Sequence, residues 1–239
     1  MDLLRGQVAL VIAAHPDDEV IGCGGTIAML AARGAEVQIL LLADGVGARH
    51  PSGSAASAVP EVRAEVEVRR EAARRASHVL GAASVEFGEF ADNRLDAVDR
   101  LDVARTVEVT IERYRPDIVL THHAGDVNID HRRVHEAVVI ACRPQPGHCL
   151  KTLLFFEVAS STEWQPPGSA PLFAPHCFVD ITDHLADRRH ALEAYSAEMR
   201  PWPHPRSYEA VEHLARWRGA TVGVEAAEAF MLGRHIQRG

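Results

Sequence analysis

The first 160 residues alternate between two hydrophobic patterns. Short, nearly continuous apolar runs that are rich in β-branched residues are typical of strands buried on both faces of a parallel sheet. Longer segments between them place apolar residues at helical spacing. The predicted strands cover residues 7–14, 36–43, 84–90, 117–122 and 150–158, and the predicted helices cover residues 26–33, 61–80, 101–114 and 131–142.

This alternation predicts an α/β fold, namely a Rossmann-like, doubly wound and mainly parallel sheet with helices on both faces. Sheets of this kind bind ligands beyond the carboxyl ends of their strands. Residues 45–60 are rich in Gly, Ser, Ala and Pro, and they predict a mobile loop over those strand ends.

The last third of the chain has a different character. Prolines between residues 166 and 175 predict a stiff loop, followed by a short strand at 178–181 and an amphipathic helix at 183–199. Residues 200–207 are too rich in proline for a helix, and we expect them to form a structured loop that lines a site. We therefore expect one domain over residues 1–239. Residues 1–160 would form a Rossmann-like core with the site, and residues 161–239 would form loops and helices that line the substrate site.

Composition excludes several classes of partner. Hydrophobic residues make up 47% of the chain and charged residues 24%, as in an ordinary globular protein. Lys and Arg number 25 against 33 for Asp and Glu, and the net charge of −8 would repel nucleic acid. No apolar segment is long enough to span a membrane, and the start lacks a signal-peptide pattern. The sequence thus predicts a cytoplasmic protein without an integral membrane segment, and it leaves a homo-oligomer open.

The first candidate site directly follows the first predicted strand, at His15, Asp17, Asp18 and Glu19. Carboxylates packed together at a strand end repel one another unless a cation lies among them. Imidazole and carboxylate ligands suit Zn²⁺ or a similar divalent ion. An acidic turn that caps the next helix is the alternative explanation.

A second polar cluster, residues 126–131, follows a later strand and should face the same edge of the sheet. A metal held by His15, Asp18 and His131 would have three protein ligands and an open position, which is the arrangement of a catalytic zinc site. Asp17 would then be available to accept a proton.

Two other motifs suggest different sites. His131 and His135 have the spacing of a helical zinc pair, but the glutamate of that motif is missing, so we expect His135 to be a packed or supporting residue. The glycines within residues 22–25 form an incomplete dinucleotide motif and more plausibly allow close helix packing. His122 and His123 alternate along a strand, so at most one of them should point to the site.

These motifs resemble those of the PIG-L/LmbE-like N-acetylglucosaminyl deacetylases, in particular a bacterial branch. The resemblance lies in residues 14–19 and 130–131 and continues into the tail at 203–207, 217–219 and 227–230. It implies a zinc ion bound by His15, Asp18 and His131, with Asp17 as the general base.

The resemblance also suggests roles for further residues. Mycothiol-pathway members have a histidine three positions before the last zinc ligand, whereas this chain has Asn128, which could donate a hydrogen bond to an oxyanion. His204 in the tail could then supply the proton. Asp130 would orient a ligating histidine from behind. The candidate residues for holding sugar hydroxyls or a substrate phosphate are Arg94, Arg206 and Arg218.

The function that follows is zinc-dependent removal of the N-acetyl group from an N-acetylated amino sugar, which releases acetate and a free amine. A deacylase of a non-sugar amide or of an antibiotic intermediate is the nearest alternative. A non-catalytic binding module for nucleotide sugars or dinucleotides and a metal-dependent phosphoesterase are alternatives from other classes.

Overall fold

The structure, a computed structural model, describes residue 4 and residues 6–47 and 60–237. Most of the predicted loop at 45–60 lies outside the described residues. The strands are β1 (Val8–Ala13), β2 (Glu36–Ala43), β3 (Ser84–Phe90), β4 (Ile118–His122), β5 (Thr152–Phe156), β6 (Cys177–Asp180) and β7 (Ala227–His235). The helices are α1 (Asp18–Ala32), α2 (Pro60–Val79), α3 (Arg100–Tyr114), α4 (Ile129–Ala141), α5 (Leu185–Ala194) and α6 (Tyr208–Ala220).

The strands form one sheet in the order β3-β2-β1-β4-β5-β7-β6. Pairing is parallel from β3 through β5, and β7 runs antiparallel to both of its neighbours. The chain order reverses between β1 and β4, which is the switch point where doubly wound sheets bind ligands. The predicted fold class, a single α/β domain with a mainly parallel sheet, is confirmed.

Helices cover both faces of the sheet, which explains why β1 is apolar at every position and why its neighbours are mostly apolar. Val11 and Ala13 of β1 pack into the core formed with α1, α2, α5 and α6. Leu10 and Ile12 point the other way, into the core formed with α3 and α4. Across residues 6–47 and 60–237, none of the helices combines the length and apolarity needed to cross a bilayer.

The structure corrects the bounds of two predicted helices and adds two elements that the sequence did not predict. Helix α1 begins at Asp18 rather than at residue 26, because its glycines are helical and serve close packing: a Cβ on Gly22 would lie 2.4 Å from the Phe156 ring. Helix α5 ends at Ala194, short of residue 199, because the chain turns there and buries Tyr195. Helix α6 and strand β7 were not predicted at all. Ser207 starts α6 by accepting a hydrogen bond from the Ala210 amide at 3.0 Å.

Helix α1 is kinked at Cys23, and two buried side chains satisfy the backbone groups that the kink opens. Arg188 of α5 donates hydrogen bonds to the carbonyls of residues 20–21. Glu228 of β7 accepts from the amides of residues 25–26 at 2.8 and 2.7 Å. The two side chains also pair with each other at 3.1 Å. This bridge fixes the first half of α1, which carries the acidic residues of the candidate site.

Candidate metal centre and active site

The predicted ligands lie at the carboxyl ends of β1 and β4, on either side of the switch point. His15 follows β1, Asp18 is the first residue of α1, and His131 lies in the first turn of α4. Their exposed fractions are 7%, 0% and 1%. Burying a carboxylate this completely is costly unless it is paired or coordinates a cation.

The three side chains converge on one small region. Asp18 Oδ2 lies 3.2 Å from both His15 Nδ1 and His131 Nε2. Among the described residues, no group forms a hydrogen bond with His131 Nε2 or with Asp18 Oδ1, although both atoms are buried. A metal ion would satisfy two such buried ligand atoms in one cluster. The donor set of two imidazoles and a carboxylate fits zinc.

In both imidazoles, the nitrogen that does not approach Asp18 lies beside a carboxylate. His15 Nε2 lies 3.0 Å from Asp130 Oδ2 and 3.1 Å from Asp92 Oδ1. His131 Nδ1 lies 3.1 Å from Asp126 Oδ2. Such partners fix the ring orientation and the tautomer of metal-binding histidines. Asp130, Asp92 and Asp126 therefore all lie where a carboxylate could orient a ligating histidine.

His15, Asp92 and Asp130 form a second group that is close enough to hold an ion. Both oxygens of Asp130 are already acceptors, however, from the amides of Asn93 at 2.7 Å and Leu95 at 2.9 Å. The unsatisfied atoms lie on the other side of His15, so the geometry favours the site with Asp18 and His131.

The electrostatics of the centre favour positive charge on its imidazoles. Burial lowers the pKa of His131, but the charges of Asp18 and Asp126 outweigh burial and raise it to about 9. Burial would raise the pKa of Asp18, yet the two histidines hold it well below its usual range. The cluster is thus built to stabilise positive charge between its carboxylates.

Asp17 lies beside the centre in a strained backbone conformation, with φ at 121°. Non-glycine residues rarely adopt such angles, and the surrounding contacts must hold them. Its amide donates to Glu19 Oε2 at 3.0 Å, and Glu19 Oε1 accepts from the Tyr195 hydroxyl at 2.6 Å. Arg69 holds the preceding peptide by donating to the Pro16 carbonyl at 2.8 Å. The sequence analysis placed Glu19 in the candidate site without this role, and it missed Tyr195 and Arg69.

The tail loop, residues 200–207, contacts Asp17 through one side chain. Arg206 Nη1 lies 2.7 Å from Asp17 Oδ2. His204, two residues earlier, is half-buried, and its ring meets the exposed Trp164 ring edge-on with centroids 5.7 Å apart. Asn128 caps α4 by accepting from the Asp130 amide at 2.8 Å, which leaves its amide nitrogen as the side that could donate.

The other predicted substrate arginines lie in different surroundings. Arg94 is exposed, between the two residues whose amides bind Asp130. Arg218 makes a bidentate pair with Glu157, at 2.8 and 2.7 Å, so its guanidinium group already has a carboxylate partner.

Two further histidines take the supporting positions expected of them. His122 stacks on His131 with ring centroids 4.0 Å apart, whereas His123 points away to the Pro171 carbonyl. Only one of the pair therefore faces the site. His135 packs against Phe155 and bonds to the His122 carbonyl at 2.9 Å.

Comparison with known proteins supports the reading of these motifs. The model of the family described as GlcNAc-PI de-N-acetylase, PIG-L, matches residues 10–142. A diacetylchitobiose deacetylase from Thermococcus kodakarensis is 35% identical over 204 residues, which cover 79% of this chain and 69% of that protein. A probable N-acetyl-alpha-D-glucosaminyl L-malate deacetylase from Bacillus anthracis is 24% identical over 192 residues, covering 79% and 80%. The structure of N,N'-diacetylchitobiose deacetylase from Pyrococcus horikoshii shares the fold, with a TM-score of 0.75 and 21% identity over 95% of this chain and 84% of that one.

Proposed function

The chain belongs to the PIG-L family of GlcNAc-PI de-N-acetylases, and we propose that it is a zinc-dependent hydrolase acting on an N-acetylated amino sugar. The reaction would cleave the amide bond of an N-acetylglucosaminyl-type substrate and release acetate and a free amine. The proposed compartment is the cytoplasm, as predicted from the sequence.

The buried group of His15, Asp18 and His131 carries this proposal. Its ligand atoms lie within 4.8 Å of one another, two buried atoms in it have no hydrogen bond among the described residues, and carboxylates contact the other nitrogens of its imidazoles. These three residues would hold the zinc ion and leave a position open, as in catalytic sites. When bound, zinc supplies Lewis acidity and makes a water nucleophilic at neutral pH. A pure binding module would have little use for such a centre with a carboxylate base beside it.

Asp17 is the proposed general base. Its Oδ2 is held by Arg206, whereas Oδ1 has no hydrogen-bond partner among the described residues and is buried. Oδ1 is therefore the atom that would accept the proton of the attacking water. Because burial raises the pKa of Asp17 above its ordinary value, the carboxylate is a stronger base than an exposed aspartate.

Two further groups are available for the later steps. The Asn128 side-chain amide could donate a hydrogen bond to the tetrahedral oxyanion. His204 could protonate the departing sugar amine, since its loop is fixed over Asp17 through Arg206. Arg94, exposed at the rim, is the proposed contact to substrate hydroxyls or phosphate.

Acetate release by the zinc-loaded protein tests the function. The panel comprises free N-acetylglucosamine, its nucleotide-linked and lipid-linked forms, N-acetylglucosaminyl glycosides, and acetylated amines that are not sugars. We expect release that concentrates on one sugar form, stops with a chelator and returns with zinc.

Asp17→Asn serves as the control, since it should keep the metal and lose the activity. Acetate release only from non-sugar amines would instead identify the deacylase alternative. No release from any member, with zinc bound, would contradict the proposal.

A further inference from the structure

Arg206 of the tail loop makes two hydrogen bonds of 2.7 Å, one of them to the proposed base. Its Nη1 donates to Asp17 Oδ2, and its Nε donates to Ser160 Oγ. A third nitrogen, Nη2, lies 4.0 Å from Asp18 Oδ1. The side chain is 21% exposed, and the carboxylate that it binds is 1% exposed. The hydrogen-bond donors of the guanidinium group are thus directed at other side chains of the protein.

The backbone of Arg206 is fixed as firmly as its side chain. The Arg206 amide donates to His204 Nδ1 at 3.0 Å, and its carbonyl accepts from the Arg200 amide at 3.1 Å. The next residue, Ser207, begins α6. The loop therefore presents the guanidinium group at a set position before any substrate arrives.

This contact makes the two oxygens of Asp17 unequal. A carboxylate can turn about its last side-chain bond through a broad, roughly two-fold profile, which exchanges its oxygens. Arg206 holds Oδ2, so the turn is blocked and Oδ1 remains directed away from the arginine. A base that works through one oxygen needs this restriction, because a displacement of about 1 Å can lower a rate about 10²-fold.

We infer that Arg206 is a positioning residue that orients Asp17, rather than a contact to the substrate. The inference rests on the proposed function for the role of Asp17. Ser160 completes the arrangement, because it occupies the guanidinium edge that would otherwise be available for a sugar hydroxyl. Arg206 would have to give up a buried carboxylate to bind substrate.

The kinetic test compares Arg206→Gln, Arg206→Lys and Ser160→Ala with wild type on the substrate found in the panel. Arg113→Gln is the matched control, because Arg113 also pairs with a carboxylate, that of Glu86 at 2.7 Å, but at an exposed position. For Arg206→Gln we expect kcat to fall about 10²-fold, with KM and zinc affinity within about threefold. Arg206→Lys should recover part of the rate, since an ammonium group makes only a point contact. Ser160→Ala should lower kcat by a smaller factor, and the control should match wild type.

A raised KM with unchanged kcat in Arg206→Gln would identify a substrate contact and overturn the inference.

Crystal structures of zinc-bound wild type and Arg206→Gln provide a readout that is independent of the reaction. The inference requires the Asp17 carboxylate to rotate or to occupy two positions in the variant. An Asp17 side chain that stays in place overturns it. This outcome is separate from failure of the proposed function, which would show as a wild-type protein that releases no acetate.

Discussion

Asp126→Asn tests whether the carboxylate behind His131 controls metal binding. The Asp126 side chain is buried and accepts hydrogen bonds through both oxygens. Oδ1 accepts from the Asn128 amide at 2.8 Å, and Oδ2 accepts from Thr162 Oγ1 at 2.8 Å. Oδ2 also lies 3.1 Å from His131 Nδ1, and the Ser161 hydroxyl bonds to Oδ1.

An asparagine at this position has one acceptor oxygen and cannot replace both carboxylate oxygens. If the side-chain oxygen of the new asparagine faces the backbone amide of Asn128, its NH₂ group faces His131 Nδ1. That nitrogen must then become the acceptor, and the proton moves to Nε2, the atom required by the metal. If the oxygen instead faces His131, the backbone amide of Asn128 loses its acceptor, which lowers the stability of the protein by about 1–3 kcal/mol. The Ser161 and Thr162 hydroxyls can rotate to donate or accept in either arrangement. They therefore do not restore the contact that each arrangement loses.

Both arrangements weaken the centre, and the expected loss of zinc affinity is about 10- to 100-fold. This corresponds to about 1.4–2.7 kcal/mol of binding free energy. The loss is smaller than that for removing a ligand, because the three ligand atoms remain.

Competition with a chromogenic chelator at fixed pH measures the affinity, and urea unfolding of the metal-free protein reports whether the variant is folded. Asp99→Asn is the matched control. Asp99 is an exposed helix cap that accepts from the Leu101 amide at 2.8 Å, and asparagine caps helices equally well. A folded Asp126→Asn protein with zinc affinity within twofold of wild type would refute the reasoning.

Four further predictions follow from the same contacts. Asp17→Asn should lower turnover by about 10²-fold or more while zinc affinity stays unchanged; near-normal acetate release with the metal retained would rule out Asp17 as the base. His204→Ala should lower kcat about 10²-fold if His204 is the proton donor, and unchanged turnover at saturating substrate would exclude that role. Zinc must displace a proton from His131, whose pKa is about 9 without metal. Against the effect of burial, carboxylate neighbours raise the pKa of His15 as well, so below that pH protons on the two imidazoles stabilise the metal-free form. Chelator competition between about pH 6 and pH 8 should therefore show zinc affinity rising about ten- to hundredfold per pH unit; a flat profile would contradict the proton competition. Glu228→Gln leaves Arg188 as an unpaired buried charge, so urea unfolding should show a loss of about 3–5 kcal/mol, and a loss below about 1 kcal/mol would show that the bridge is not stabilising.

The sequence predicted the sheet well because its central strands must be apolar on both faces. The bounds of β2 and β3 match their predicted ranges, since those runs end at polar residues or turns. The glycines at 22–25 misled the prediction of α1, because local pattern cannot show that Phe156 and Ile181 pack against them. Tertiary contact decided the structure there.

The same distinction applies to the site. Residues within one short motif, such as His15 and Asp18, could be recognised because their chemistry is adjacent in the chain. Arg206 and Asp17 are 189 residues apart, and no local signal links them. Arg69 gave no signal as a charged residue on a surface helix, yet it is buried and pairs with Glu198 at 2.8 Å.

The bridge across the kink of α1 bears on how this protein can be recombined with its relatives. The signature residues lie between positions 15 and 131, but the half-helix that begins at Asp18 is held by Arg188 and Glu228. A chimera joined near residue 160 would inherit the signature from one parent and these two contacts from the other. Such exchanges should succeed only when the incoming tail supplies a matching arginine and glutamate. The centre and the tail must therefore be inherited, or redesigned, as one unit.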